Sequence, residues 1–216
     1  MLHGDQSVWV ATEDAPDALP DVIIPSIGRC GSTWVTELIA TARGGGFEYA
    51  RDYRSGGPVR KTHSHFVEEP HGAYRAVYVY GGIGDVICSL VTSPWPRQLL
   101  LQHFDHLGVA SADVEAFLLS PDEHGWIRLV EGDRLRFRDN MRSWQRAENV
   151  MFVRYEALCA EPAGVVRSIS QFVGMPLPVA VVSTGRASWR QLPDRLRDAI
   201  CAEYGDLVEA PRLESL

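Results

Sequence analysis

The chain has 216 residues, enough for one sizeable α/β domain and little more. Apolar residues make up 45% and charged residues 23%, and 21 basic against 28 acidic side chains leave a formal charge of −7. That balance argues against a protein that coats nucleic acid; no run of about 18 apolar residues offers a membrane span, and the start lacks the basic and apolar regions of a signal peptide.

Residues 1–20 are polar and contain proline, and read as a loose lead-in to a single domain over 21–216. Asp21-Val22-Ile23-Ile24-Pro25 reads as a short buried strand. The turn Ser26-Ile27-Gly28-Arg29-Cys30-Gly31 follows, and Ser32 or a near neighbour is placed to cap a helix. Val35, Leu38, Ile39 and Ala42 give that helix one apolar face, and Gly44-Gly45-Gly46 ends it.

Residues 47–57 read as a loop, and Pro58 to His63 as a short strand ending in polar groups. Arg75 to Tyr80 is a strand by its β-branched and aromatic content. It runs into Gly81-Gly82 and then a helix from about Asp85, which Pro94 and Pro96 break. Residues 111–148 read as mostly helical, and Val150 to Val153 as another buried strand. Pro162 opens a helix that Gly174 stops, and a last helix covers about 193–203. Strands alternating with helices predict an α/β fold with a central parallel sheet and helices on both faces.

Ligands of such sheets bind at the carboxyl ends of the strands. Three polar clusters follow three predicted strands, Arg29–Thr33, Lys61–His63 and Gly81–Ser89, and are expected to meet on one rim. The first joins a strand to a helix N-terminus through a glycine turn, where free N–H groups favour a phosphate or sulfate; a plain tight turn is the other reading. It is not a nucleoside-triphosphate loop of the form GxxxxGK[ST], because Cys30-Gly31-Ser32-Thr33 has no lysine. No aspartate ends the Val79-Tyr80 strand to hold Mg²⁺, so a nucleotide phosphotransferase is a poor fit.

Two composition signals add to this. The basic residues are 20 arginines and one lysine, Lys61, which suits a place where a compact ammonium is needed. The four cysteines, Cys30, Cys88, Cys159 and Cys201, are scattered without a CxxC pair, and read as reduced thiols of a cytoplasmic protein.

These blocks resemble the sulfotransferases that use 3′-phosphoadenosine 5′-phosphosulfate. Arg29-Cys30-Gly31-Ser32-Thr33-Trp34 is similar to that family's 5′-phosphosulfate loop, and Lys61-Thr62-His63 matches its Lys-Thr-His tripeptide. Gly81 to Ser89, Arg154-Tyr155-Glu156-Ala157-Leu158 and Gly185-Arg186-Ala187-Ser188-Trp189 resemble three further family elements, in family order. The resemblance implies a P-loop-like sulfotransferase architecture. It implies transfer of a sulfuryl group from 3′-phosphoadenosine 5′-phosphosulfate, as donor cosubstrate, to a hydroxyl of a small-molecule, glycan or lipid acceptor, with no metal.

By that resemblance His63 is the general base, with His65 in reserve, and Lys61 and Arg29 stabilise the transferring group. Arg29, Cys30, Gly31, Ser32 and Thr33 hold the 5′-phosphate, Trp34 stacks on adenine, and Ser89 and Arg186 hold the 3′-phosphate. From the residues alone, His63 could instead order its loop and Trp34 could be a core aromatic. Tyr155 and Glu156 are expected to be structural. The run Arg134, Arg136, Arg138, Arg142 and Arg146 reads as a solvated face, or else as a clamp for an anionic acceptor.

One departure stands out: Gly81 sits where the family has an arginine for the 3′-phosphate. Losing one charge-assisted bond costs about 1.5–3 kcal/mol, roughly one to two orders of magnitude in affinity. The alternative is therefore a sulfotransferase-like fold with an altered donor, or a binding module that has lost activity.

Overall fold

The apolar run after Asp21 lies at the centre of a sheet. The computed structural model describes residues 19–94, 96–178 and 188–209. Most of the lead-in, and Gly185, Arg186 and Ala187, lie outside the described residues. In β1 (Asp21–Pro25) the side chains of Val22, Ile23 and Ile24 are fully buried. β1 pairs with β3 (Val59–Thr62) on one side and β4 (Tyr74–Tyr80) on the other. β2 (Glu48–Tyr49) joins β3, and β5 (Val150–Arg154) joins β4, so the order is β2-β3-β1-β4-β5 with every pair parallel. Strands covered on both faces read as continuous apolar runs, which is why β1 and β4 were legible.

Helices follow the strands: α1 (Ser32–Ala42) after β1, and α2 (Ile83–Thr92) after β4. α3 (Arg97–Leu107), α4 (Ser111–Leu119), α5 (Glu123–Val130) and α6 (Phe137–Trp144) lie between α2 and β5. α7 (Tyr155–Ala160), α8 (Pro162–Val173) and α9 (Asp194–Tyr204) complete the helices. Side chains three apart on a strand point to opposite faces. On β4, the Tyr78 hydroxyl donates to Asn140 of α6, while the Arg75 guanidinium lies over the Phe172 ring of α8. α6 and α8 therefore cover opposite faces, as an α/β sheet layered with helices requires.

The cap of α1 is Gly31, a near neighbour of Ser32, and no side chain caps that helix. Two local expectations change. α2 begins at Ile83, one turn's fraction before Asp85. The 47–57 loop contains the edge strand β2. Residues 104–125 are largely the end of α3, α4 and the start of α5; Phe104, Leu107 and Phe117 bury their apolar surface there.

From β1 the chain moves outward to β2 and β3, then crosses back over β1 to β4. The loops after β1 and β4 thus diverge, which opens a crevice at the carboxyl ends of the two central strands.

Candidate active site

The loop after β1 is a tight turn, in which the Gly28 amide donates to Ser26 Oγ at 3.2 Å. Gly28, Arg29 and Gly31 all have positive φ, at 89°, 53° and 80°. At Gly31 a Cβ would also come within 2.7 Å of the Tyr155 ring, so the turn needs glycine for conformation and for space. The Cys30 thiol is buried and donates to the Val79 carbonyl at 3.0 Å, so the side chain anchors the loop to β4. Thr33 stays exposed on the first turn of α1, and Trp34 is half-buried against the core.

The three polar clusters meet. Alternation along β3 sends Arg60 and Lys61 to opposite faces. The Arg60 guanidinium, 1% exposed, pairs with Asp21 at 2.7 Å, while Lys61 Nζ donates to Thr33 Oγ1 at 2.6 Å. Burial lowers the Lys61 ammonium below its ordinary pKa, with Arg29 adding a smaller push. From the other side, Arg29 Nε donates to Ser89 Oγ and its Nη2 to Ser93 Oγ, both at 2.8 Å. Arg29 thus spans from the loop to α2.

His63 lies at the end of β3, 3% exposed. Its Nδ1 is 2.8 Å from the Ser26 carbonyl and 3.0 Å from Ser26 Oγ. A carbonyl only accepts, so Nδ1 carries the proton and Nε2 carries a lone pair. Ser26 Oγ donates onward to Ser32 at 3.0 Å, tying His63 to the anion loop. Burial holds His63 well below the usual histidine range, and His103 and Lys61 push the same way. It is neutral at pH 7. His65 faces elsewhere: its Nε2 donates to the Leu107 carbonyl at 2.9 Å.

Several residues around His63 were not singled out from sequence. His103 on α3 meets the His63 ring edge-on at 4.6 Å between centroids, and lies against Gly28. Burial lowers the His103 pKa to about 3, helped by Lys61 and His106. Tyr49 stacks on His106 at 4.7 Å and meets the His63 ring at 5.4 Å. The signal existed: Leu100, Phe104 and Leu107 give α3 an apolar face, and His103 and His106 fall on it.

α6 fixes the segment that carries His63. Asn140 donates to the His63 carbonyl at 2.8 Å, Trp144 Nε1 to the Ser64 carbonyl at 2.9 Å, and the Phe66 amide to Ser143 Oγ at 2.8 Å. On the β4 side, Glu156 accepts the Gly82 amide at 3.2 Å, and Asp85 accepts the Trp189 amide at 2.9 Å. Tyr155, Glu156 and Asp85 therefore brace the loops. No group of three or more histidine, cysteine or acidic side chains among the described residues is arranged to hold a metal ion.

Comparison with known proteins gives two findings. The sulfotransferase domain family matches residues 136–196, which run from the start of α6 into α9. Among solved structures, mouse sulfotransferase SULT7A1 complexed with PAP is 13% identical, with a TM-score of 0.42 over 85% of this chain. The chain spans 63% of that protein's length. No curated protein matches in sequence.

Proposed function

We propose that the chain is a sulfotransferase that moves a sulfuryl group from 3′-phosphoadenosine 5′-phosphosulfate to an acceptor hydroxyl by in-line transfer. One observation carries the reading: Lys61 and His63, at the end of β3, meet Arg29 and its glycine turn at a helix N-terminus. The match of residues 136–196 to the sulfotransferase domain supports it. Four free cysteines, and no described helix long and apolar enough to cross a membrane, agree with a cytoplasmic setting.

The bare Nε2 of His63 takes the acceptor proton as the hydroxyl oxygen bonds to sulfur. The bond from sulfur to the donor's phosphate oxygen breaks, and its electron pair stays on that oxygen. Lys61 and the N–H groups of the 28–33 turn meet the charge that develops there. A neutral resting His63 is ready for this without prior proton loss. His65 is a poor substitute, since its ring is committed to α3.

Arg29 answers the departure at Gly81. Its guanidinium stands at Ser89, the residue that the resemblance gives to the 3′-phosphate. The cation absent from position 81 is thus supplied from the loop after β1, and Arg29 serves the 3′-phosphate rather than the 5′ end. Trp34 then covers the adenine, and Ser32 and Thr33 face the 5′-phosphate.

The test is calorimetric titration with adenosine 3′,5′-bisphosphate beside 5′-AMP and Mg²⁺-ATP. Micromolar binding of the bisphosphate, clearly tighter than 5′-AMP and without metal, is the expected result. No bisphosphate binding would instead favour the changed-donor reading that Gly81 raises.

A further inference from the structure

The arginine run before β5 divides in two. Arg134 pairs with Asp113 at 2.8 Å, and Arg138 donates to the Glu203 carbonyl at 2.7 Å. Arg136, Arg142 and Arg146 turn the other way. They line a cleft of about 520 Å³, whose far wall is His65, Phe66 and Val67. That volume lies within the roughly 300–1,000 Å³ of small-molecule sites.

We propose that this cleft is an anion-recognition subsite for the acceptor, which takes hydroxylated small molecules bearing a carboxylate or sulfate group. Calling the ligand an acceptor rests on the sulfotransferase reading; the affinity for the anion does not.

Charge is the first argument. Elsewhere Arg51, Arg54, Arg60, Arg154, Arg190 and Arg197 each have a carboxylate within 4.0 Å, while Arg43, Arg75 and Arg128 donate to backbone carbonyls. In the cleft, three guanidiniums share the single carboxylate of Asp139, which is 3.7 Å from Arg136. No described carboxylate is paired with Arg142 or Arg146. Arg146 reaches the Phe66 carbonyl only at 3.5 Å, and Arg136 the Gly108 carbonyl at 3.3 Å. Each guanidinium has five donors, so most are left for a ligand or water. A solvated face would intersperse acids between Arg142 and Arg146, which stand four apart with like charge.

Position is the second argument. His65 on the far wall is two residues beyond His63, at most about 7 Å of chain. α6 carries Arg142 and also holds the His63 and Ser64 carbonyls, through Asn140 and Trp144. One helix therefore holds both the cleft and the segment that carries His63. The field of the cleft reaches this segment: after burial, Arg136 is the chief influence lowering the His65 pKa.

The backbone gives a third, smaller argument. Arg136 has φ 58, an uncommon conformation for a residue with a side chain. Asp133 holds the turn by accepting the Phe137, Arg138 and Asp139 amides. Such conformations persist where the surroundings enforce them, and they gather at functional sites.

The experiment is an amide-resolved NMR titration of the full chain with glucuronate and, separately, glucose, which differ at one carboxylate. It is run with and without adenosine 3′,5′-bisphosphate. Glucuronate is expected to shift the His65, Val67, Arg142 and Ser143 amides and to bind about tenfold or more tighter than glucose. The double variant Arg142→Gln/Arg146→Gln should lose that preference; both side chains are exposed, and its bisphosphate affinity checks that the fold stands. Glucuronate acting no more strongly than glucose, or on neither wall of the cleft, overturns the proposal, as does a preference that survives in the double variant. Glucuronate preference without any bisphosphate binding would leave the subsite standing and remove the sulfotransferase reading. Bisphosphate binding without the preference would do the reverse.

Discussion

The two sides of the crevice are built differently. On the donor side, the turn after β1 is a backbone device, short in sequence, fixed by Gly31 and by the buried Cys30 thiol. On the other side, the walls come from α3 and α6, tens of residues from β3 and joined to it by side-chain bonds to backbone carbonyls. A loop that binds through its own N–H groups tolerates little variation. A wall made of helix side chains can change its chemistry while its hydrogen bonds to the frame stay in place. That difference explains why the turn reads as a local motif while the helical walls do not spell out their ligand.

His63 stands at the junction, so its loss has the largest expected effect. His63→Ala should reduce turnover about 10²–10⁴-fold while bisphosphate affinity stays within a few-fold. Turnover near wild type would remove His63 as the base and uncouple the two sides. Asn140→Ala tests the helical wall. It strands the buried Tyr78 hydroxyl and the His63 carbonyl, and should cost about 2–4 kcal/mol of stability. In a chain of this size that is a Tm lower by several degrees or more. A Tm unchanged in calorimetry would mean that α6 does not hold the base.

Arg29→Ala tests the donor side alone. Bisphosphate affinity should fall about ten- to a hundredfold, and the advantage over 5′-AMP should shrink with it. Equal losses for both ligands would return Arg29 to the 5′ end. The smallest effect comes from acid. His63 and His103 are neutral when folded, with pKa values below 6.5, and His106 is lowered by burial too. The unfolded chain takes up protons near pH 6.5 where the folded chain does not, so stability is full above that pH and is lost below it. Tm should therefore decline between pH 7.5 and 5.5, a window above the carboxylates. A flat or rising Tm there contradicts a buried neutral cluster.

What the sequence made legible follows the same division. β1, β4 and the Lys-Thr-His segment were readable because apolar runs and turn residues act locally. Parallel order could be argued from alternation of strands and helices. The course of the Arg29 side chain was not readable, since nothing local says that it crosses to Ser89. Nor was the division of the arginine run, which depends on where Asp113 and Glu203 lie. α3 was not legible because Leu100, Phe104 and Leu107 give a helical pattern of only three residues, between Pro96 and Gly108.

β2 has one further consequence. It is two residues long, lies at the sheet edge, and pairs only with β3. Yet Tyr49 on β2 lies beside His63, stacks on His106 and faces the Lys61 ammonium at 5.4 Å. Short edge strands are among the first parts of a sheet to open. The next amide, Ala50 N–H, is bonded to the Lys61 carbonyl at 2.8 Å, so its exchange with deuterium reports that opening directly. Protection of Ala50 should rise when a ligand fills the crevice, well before any change in β1 or β4. The least anchored strand of the fold thus stands against the buried His63 ring.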